Sequence, residues 1–482
     1  MGKASAFPIF SSRLLKNSHI AAVLENPLCG VALLRLRGIF CGCDDLTIFE
    51  QPVFISNLLE AAMILQSKHM PTAGGEGGRL PFPDLRTHDI LGQLPDLRRM
   101  CRYCMADDIS RFLRNLSSVL NGDLKRMTHW RIECDRLIKA IAGSGLHELK
   151  TIHEALNRIE IERFLLTNSV VSLHRNCTHY RDELAKRAMD MVVEELDGRG
   201  SPMPDIPFAL ISMGSDGREE QTLITDQDYL IVYGDGGGEE ADKYFLEYST
   251  LLVDRLEEAG FKRCTGDIMP TNPTWRGSLS QWRRRLTAIV RYEVEDYGKN
   301  MMDLIVLSDA RYVAGDRPIA ESLIGLIRGM ERDYFQVLWG MARAATEMRL
   351  ALGFMKRLWT ESSGEHKGEF NLKLLAWAPL VMNIRILAIN QGVPATNTGE
   401  RIVFLEKEGS FSAEMAQALR DAYYILTKYR ILMQINVIKG IQGDSYYLNP
   451  YGLPAEEHEK IRHAIVRIEE LQKIIHTNFS II

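Results

Sequence analysis

Two short apolar runs, residues 208–213 (FALISM) and 229–233 (YLIVY), are set off by polar neighbours on both sides. Runs of this length bounded by turn-formers predict short buried strands. The first stops at Gly214-Ser215. The polar stretch that follows has helix-start character, with Glu219 and Glu220 in its first turn. Apolar residues recur at three- and four-residue spacing from about 107 to 196 with hardly a proline, which predicts helices. A Gly-rich loop, residues 234–242, leads to an amphipathic helix closed by Gly260. MMDLIVLSDAR, residues 301–311, reads as a further strand that places Asp303, Ile305, Leu307 and Asp309 on one face. Beyond about 320, four long amphipathic segments separated by turns predict an antiparallel bundle.

Turn-formers mark the joints. The Gly/Pro-rich stretch 71–85 reads as a loop or linker, and DGRGSPMPDIP, residues 197–207, is the clearest boundary. The expected organisation is α+β. Residues 1–105 have no assigned role, 106–197 are helical, 198–322 form a small mixed-sheet region, and 323–482 form a C-terminal helical bundle.

Composition narrows the classes. In 482 residues, 46% hydrophobic and 25% charged content is that of an ordinary globular protein. A formal net charge of −5 argues against a dedicated nucleic-acid binder. No apolar run reaches the roughly 18 residues that span a bilayer, so no membrane is expected and the cytoplasm is the default. Met1-Gly2 is followed by Ala6 rather than Ser or Thr, which removes a myristoylation signal. Eight cysteines are too few for a disulfide scaffold. Cys41 with Cys43 and Cys101 with Cys104 read as buried or free thiols rather than a zinc module. His174, Cys177 and His179 read as packing or surface residues.

The chemistry concentrates between the two strands. Asp226 and Asp228 alternate with Gln227, so both point one way with their Cα atoms roughly 6.6 Å apart. Paired carboxylates beside a Gly-Ser turn suit nucleotidyl transfer. The turn's N–H groups hold phosphate and the carboxylates hold Mg²⁺ or Mn²⁺.

The order strand, Gly-Ser, ten residues, Asp-x-Asp, strand resembles the nucleotidyltransferase superfamily that includes DNA polymerase beta. GSDGREEQTLITDQD is similar to the signature of the bacterial DUF294 nucleotidyltransferases, relatives of the protein-PII uridylyltransferases. A second block, Gly266 to Arg276 with Asn272-Pro-x-Trp275-Arg276, resembles that family too, although Pro270-Thr271 stand where its members usually have Ala-Arg. Asp309-x-Arg311 running into Gly315-Asp316 matches a third block. Asn371 to Lys373, TNTGERIVFLEKEG and YRILMQ resemble the family's C-terminal helical region, which is thought to present the substrate.

The resemblance implies a Mg²⁺- or Mn²⁺-dependent enzyme moving a nucleoside monophosphate from a nucleoside triphosphate to an acceptor hydroxyl. The acceptor is a small regulatory protein or a small molecule, with no nucleic acid involved. Asp226, Asp228 and Asp309 would hold metal, with Asp303 the alternative third carboxylate. Gly214, Ser215, Arg218, Gln221, Thr225 and Arg311 would contact nucleotide. Arg218 has surface pairing with Glu219 or Glu220 as its other reading, and Arg311 an ion pair with Asp309. Glu220 and Gln221 match the family's Glu-Gln and fix the loop before Asp226. Asn272, Trp275, Arg276 and Arg401 are candidate substrate contacts, with loop or helix packing the alternative, and Gln434 is a polar residue of the same kind. A nucleotide-binding sensor or an interaction scaffold is the rival class.

Overall fold

The computed structural model describes residues 106–481, apart from residues 292 and 334. The readings made for residues 1–105, including Cys41, Cys43, Cys101 and Cys104, lie outside the described residues. The chain divides into two compact units. Residues 106–137 with Glu162–Asn168 belong to one, and Ile138–Ile161 with residues 169–481 to the other.

Three long helices open the described chain: α1 (Ala106–Ile141), α2 (Leu146–Thr167) and α3 (Val170–Gly198). Within the first unit, Trp130 Nε1 donates to Glu162 Oε2 at 3.0 Å, giving a buried indole its partner. Ser169 caps α3 by accepting from Ser172 N, which satisfies one of the first-turn donors.

The second unit is built on a small mixed sheet. Its elements are β1 (Phe208–Ser212), a single turn α4 (Gly214–Gly217), β2 (Asp226–Gln227), β3 (Tyr229–Tyr233), α5 (Gly238–Glu258), β4 (Lys262–Arg263), β5 (Arg276–Ser278), α6 (Leu279–Val290), α7 (Tyr297–Leu307), β6 (Arg311–Gly315) and α8 (Arg317–Asp333). The strand order is β5-β3-β1-β6, with β1 antiparallel to β3 and β6, and β3 parallel to β5. β2 and β4 form a separate parallel pair. β1 and β3 are unbroken apolar runs because they are central and covered, and every residue of β3 is buried. α5 reaches the sheet through an aromatic cluster in which the Tyr233 and Phe245 rings stack at 4.4 Å. α8 packs along β1 and β6.

Residues 301–311 are not one strand. α7 ends at Leu307, Ser308 to Ala310 turn, and β6 starts at Arg311. The buried positions Met301, Leu304, Ile305 and Ser308 follow helical spacing, and Asp296 caps the helix by accepting from Lys299 N. Asp303 therefore lies on a helix flank, away from the face of Ile305.

A helical bundle completes the unit: α9 (Phe335–Thr346), α10 (Ala378–Asn390), α11 (Thr398–Lys407), α12 (Ala413–Ile438) and α13 (Ala455–Asn478). β7 (Phe370–Asn371) and β8 (Tyr447–Leu448) form a short antiparallel clip, and Lys373–Trp377 is a π-turn leading into α10. Residues Lys373–Asn390 are long and apolar enough to cross a bilayer, but 67% of that stretch is buried within the protein. A helix apolar on nearly every side is what a bundle core requires. Asn383 in it donates to Ala345 and Pro379 carbonyls.

Candidate active site

β2 carries Asp226, and Asp228 stands between β2 and β3. Met213 N donates to Asp228 O at 2.8 Å, so the end of β1 is tied to the acid segment. Gln227 is fully buried and donates to Val253 O on α5, while Asp226 and Asp228 on the alternate positions stay partly accessible. Strand alternation thus turns both carboxylates away from the core. The Cys264 thiol hydrogen-bonds Asp228. Burial pushes the Asp228 carboxyl up to about 6, and the charges of Asp226 and Asp216 add to the rise.

Gly214 faces this pair. Its φ is +57°, and a Cβ placed there would meet Asp228 Oδ2 at 2.5 Å. Only glycine allows that approach with that backbone. Gly217 closes the turn against Asp309, whose carbonyl oxygen would lie 2.0 Å from an added Cβ. The expected helix after Gly214 is a single turn of four residues, and Arg218 follows as its C-cap. Glu219 then takes φ +55°, so Glu219 and Glu220 lie beyond the turn rather than in a helix start. Four residues give no extended dipole for holding phosphate.

The structure does not bring Asp309 to Asp226 and Asp228. Asp309 is fully buried, with Arg218 and Arg385 on Oδ2 and Arg385 and Arg401 on Oδ1. Burial alone would raise its pKa, but the guanidiniums of Arg385, Arg218 and Arg401 outweigh it and hold the carboxyl below its ordinary value. With three guanidiniums on its two oxygens, Asp309 is the anion of a buried ion cluster. Asp303 feels Lys299 and Asp296 beside it, not the acid pair. Among the described residues no three His, Cys, Asp or Glu side chains gather to hold a metal ion.

Several expected nucleotide contacts are committed elsewhere. Arg218 donates to Glu220 Oε2 at 2.8 Å as well as to Asp309, so its pairing with Glu220 is present but buried rather than on the surface. Arg311 forms a fork with Asp182 at 2.8 and 2.9 Å and reaches Asp216 Oδ1 at 2.8 Å, not Asp309. Gln221 Oε1 accepts from Arg181, which also binds the carbonyls of Thr222 and Leu223. Thr225 is buried, its hydroxyl 3.4 Å from the Asp226 carbonyl. Of the six expected contacts, Gly214 and Ser215 are the ones left beside the pair.

The second block is local architecture. Asn272 caps a short turn by accepting from Thr274 N at 2.9 Å and donates to Asp267. Trp275 is 2% exposed, and Arg276 donates to the carbonyl of Pro270. Arg401 is bound to Asp309, Ala395 O and Ser308 O. His174 and Cys177 are buried on α3, and burial pushes the His174 imidazole down to about 4.

Residues 155–296 match the family described as "Putative nucleotidyltransferase DUF294", and residues 335–479 match its companion, "Putative nucleotidyltransferase substrate binding domain". The chain belongs to the DUF294 family. It is also 26% identical over 209 residues to a bifunctional glutamine synthetase adenylyltransferase/adenylyl-removing enzyme of Rhizobium meliloti, covering 39% of this chain and 20% of the relative. The corresponding enzyme of Agrobacterium fabrum is 25% identical over 219 residues, covering 40% of this chain and 22% of the relative. The chain thus spans about a fifth of the length of the curated relatives it matches. The first DUF294 match contains Gly214, Asp226 and Asp228, and Asp309 falls between the two matches.

Two cations of the DUF294 substrate-binding region fall in blocks already noted, Lys373 in residues 371–373 and Arg430 in YRILMQ, although neither was given a role of its own. Lys373 opens the π-turn, close enough to Asp226 and Asp228 for both to act on its ammonium. Arg430, on α12, stacks on Trp377 with its guanidinium carbon 3.9 Å from the ring centre. In sequence each looks like an ordinary helix cation, because spacing within one helix says nothing about a partner on a distant strand.

Proposed function

We propose that this chain transfers a nucleoside monophosphate from a nucleoside triphosphate to an acceptor hydroxyl, with release of pyrophosphate. The observation that supports this most is the Asp226–Asp228 pair, partly accessible and pressed against the Gly214 turn with no basic side chain bonded to it among the described residues. A Mg²⁺ or Mn²⁺ ion fits that donor set. The oxygens are hard and anionic, and such ions take one or two protein carboxylates plus substrate phosphates and water rather than an all-protein cage. Asp226 and Asp228 would hold it, and when bound it neutralises phosphate charge and polarises the reacting phosphorus.

The chain's own residues do the rest. The Gly214-Ser215 turn leaves space beside Asp228 that a side chain at 214 would fill. Gln227 and the Met213–Asp228 hydrogen bond hold the pair's backbone still. The acceptor oxygen bonds to the α-phosphorus, the bond to the bridging oxygen of the β-phosphate breaks, and the hydroxyl proton passes to a carboxylate oxygen of the pair. Pyrophosphate leaves with the bridging oxygen. Asp309 serves this reaction as a positioning residue, through Arg218 and the turn. The curated relatives are named as adenylyltransferases acting on glutamine synthetase, which favours ATP as donor and a protein side chain as acceptor. The cytoplasm, where nucleoside triphosphates are abundant, suits this reaction.

The test uses four α-labelled triphosphates, Mg²⁺ or Mn²⁺, the full chain and a lysate as acceptor source. Label moved by the wild type and not by Asp226→Asn/Asp228→Asn supports transfer and names the base. No label from any triphosphate, with no divalent-dependent nucleotide binding, defeats it.

A further inference from the structure

The arginines packed around Asp309 and Asp216 have anions. Arg218, Arg385 and Arg401 share Asp309, and Arg311 is held by Asp182 and Asp216. Lys373 and Arg430 differ from these. Among the described residues neither makes an ion pair or donates to any acceptor, and each rests on an aromatic face instead. The Lys373 ammonium lies 5.1 Å from the Tyr446 ring centre. Trp377, four residues on from Lys373, takes Arg430 at 3.9 Å and Arg218 at 5.6 Å.

The electrostatics disfavour this pair as it stands. Burial pushes Arg430 down to about 10, with the repulsion of Arg218 adding to it. Lys373 is lowered by burial and then by Arg430, against the opposing pull of Asp226 and Asp228. Two like charges thus act on one another, partly desolvated and without a salt bridge among the described residues, and the anions that favour them are Asp226 and Asp228 for Lys373 and Glu220 for Arg430. Aromatic faces hold such cations in place while leaving their N–H groups free. What relieves the arrangement is a polyanion. A guanidinium fork and a neighbouring ammonium match adjacent phosphate groups in geometry and charge. Asp226 and Asp228 lie near enough to act on Lys373, so an anion bound to it would lie near the two carboxylates.

We propose that Lys373 and Arg430 bind the β- and γ-phosphates of the nucleoside triphosphate, so that the C-terminal helical region completes the donor site. This rests on the transfer activity proposed above. The α-phosphorus then sits toward Asp226 and Asp228, and the pyrophosphate that leaves remains on the two cations. The π-turn has a role in this placement, since it carries both Lys373 and Trp377.

The experiment is calorimetry on the full chain with Mg²⁺, titrating ATP, AMP and inorganic tripolyphosphate into wild type, Lys373→Met, Arg430→Met and Lys373→Arg. If labelled transfer names another base, that triphosphate and monophosphate replace ATP and AMP. Each Met variant is expected to weaken triphosphate and tripolyphosphate by about tenfold to hundredfold while the monophosphate stays within about twofold. Lys373→Arg retains most of the affinity. Lys373 is half-buried, so its variants report even if Arg430→Met unfolds. Equal weakening of monophosphate and triphosphate, or unchanged tripolyphosphate binding in Lys373→Met, overturns the proposal. So does a wild type that binds nucleoside triphosphate but not tripolyphosphate, with transfer itself intact. A wild type that binds no nucleotide at all removes the transfer activity as well.

Discussion

Gln434, on α12, holds the peptide of Ile224 from both sides, accepting its N–H at 3.2 Å and donating to its carbonyl at 3.4 Å. Ile224 lies two residues before Asp226, so a helix of the substrate-binding region sets the position of the acid segment. Gln434→Leu keeps the volume and removes both bonds, leaving a backbone donor and acceptor unpaired. We expect a stability loss of about 1–3 kcal/mol. Labelled transfer should fall further, by about tenfold to hundredfold, as the carboxylates shift. Thermal melting and a transfer assay on one preparation check this, and unchanged transfer would show that α12 is only packing.

Asp309 separates a structural anion from a metal ligand. Asp309→Asn leaves Arg218, Arg385 and Arg401 facing one another in a buried space, an expected loss of about 3–5 kcal/mol. Chemical denaturation measures it. A variant as stable as wild type that has lost divalent-ion binding would instead restore Asp309 to the metal site.

Gly214→Ala should reduce transfer sharply at modest cost in stability. The φ of +57° strains alanine by about 1 kcal/mol, and its Cβ would collide with Asp228 Oδ2. Calorimetric titration of Mn²⁺ should show weakened binding as the Asp228 carboxylate is displaced. Affinity equal to wild type would mean that the turn and the carboxylate do not cooperate.

Glu331 gives a pH signature away from the acid pair. It is 2% exposed, and its Oε1 has no hydrogen-bond partner. Burial pushes its carboxyl up to about 8, with Arg401 and Arg385 lowering and Asp309 raising it. A carboxyl raised in the folded state adds stability that is full below its ordinary value of 4.5 and lost as pH rises through about 8. Glu331→Gln removes that dependence. Its stability relative to wild type, followed by thermal melting, should climb between pH 5 and about pH 8 and level off above that, by an amount on the order of a few kcal/mol. A constant difference across that range would show that Glu331 does not titrate there.

Legibility followed sequence distance. The strands at Phe208–Ser212 and Tyr229–Tyr233, the Gly-Ser turn and the alternating aspartates depend on neighbours a few residues apart, and period and punctuation show such relations. The α+β architecture with a C-terminal helical bundle follows from the same patterns. Residues 301–311 misled because their short, mostly apolar start, MMDLIVL, fits both periods, and only the helical burial of Leu304, Ile305 and Ser308 separates them.

By itself, then, the sequence determined the family, the mixed sheet, and the two carboxylates beside a glycine that must lack a side chain. Tertiary structure decided which charged residues face them. Arg218, Arg311, Arg401 and Asp309, all offered as site residues by the sequence, are held in ion pairs, while Lys373 and Arg430 make none among the described residues. The reason is electrostatic. A charge finds its partner through space, and the partners of Asp309 lie 76 to 92 residues away in the chain, where no local spacing rule reaches.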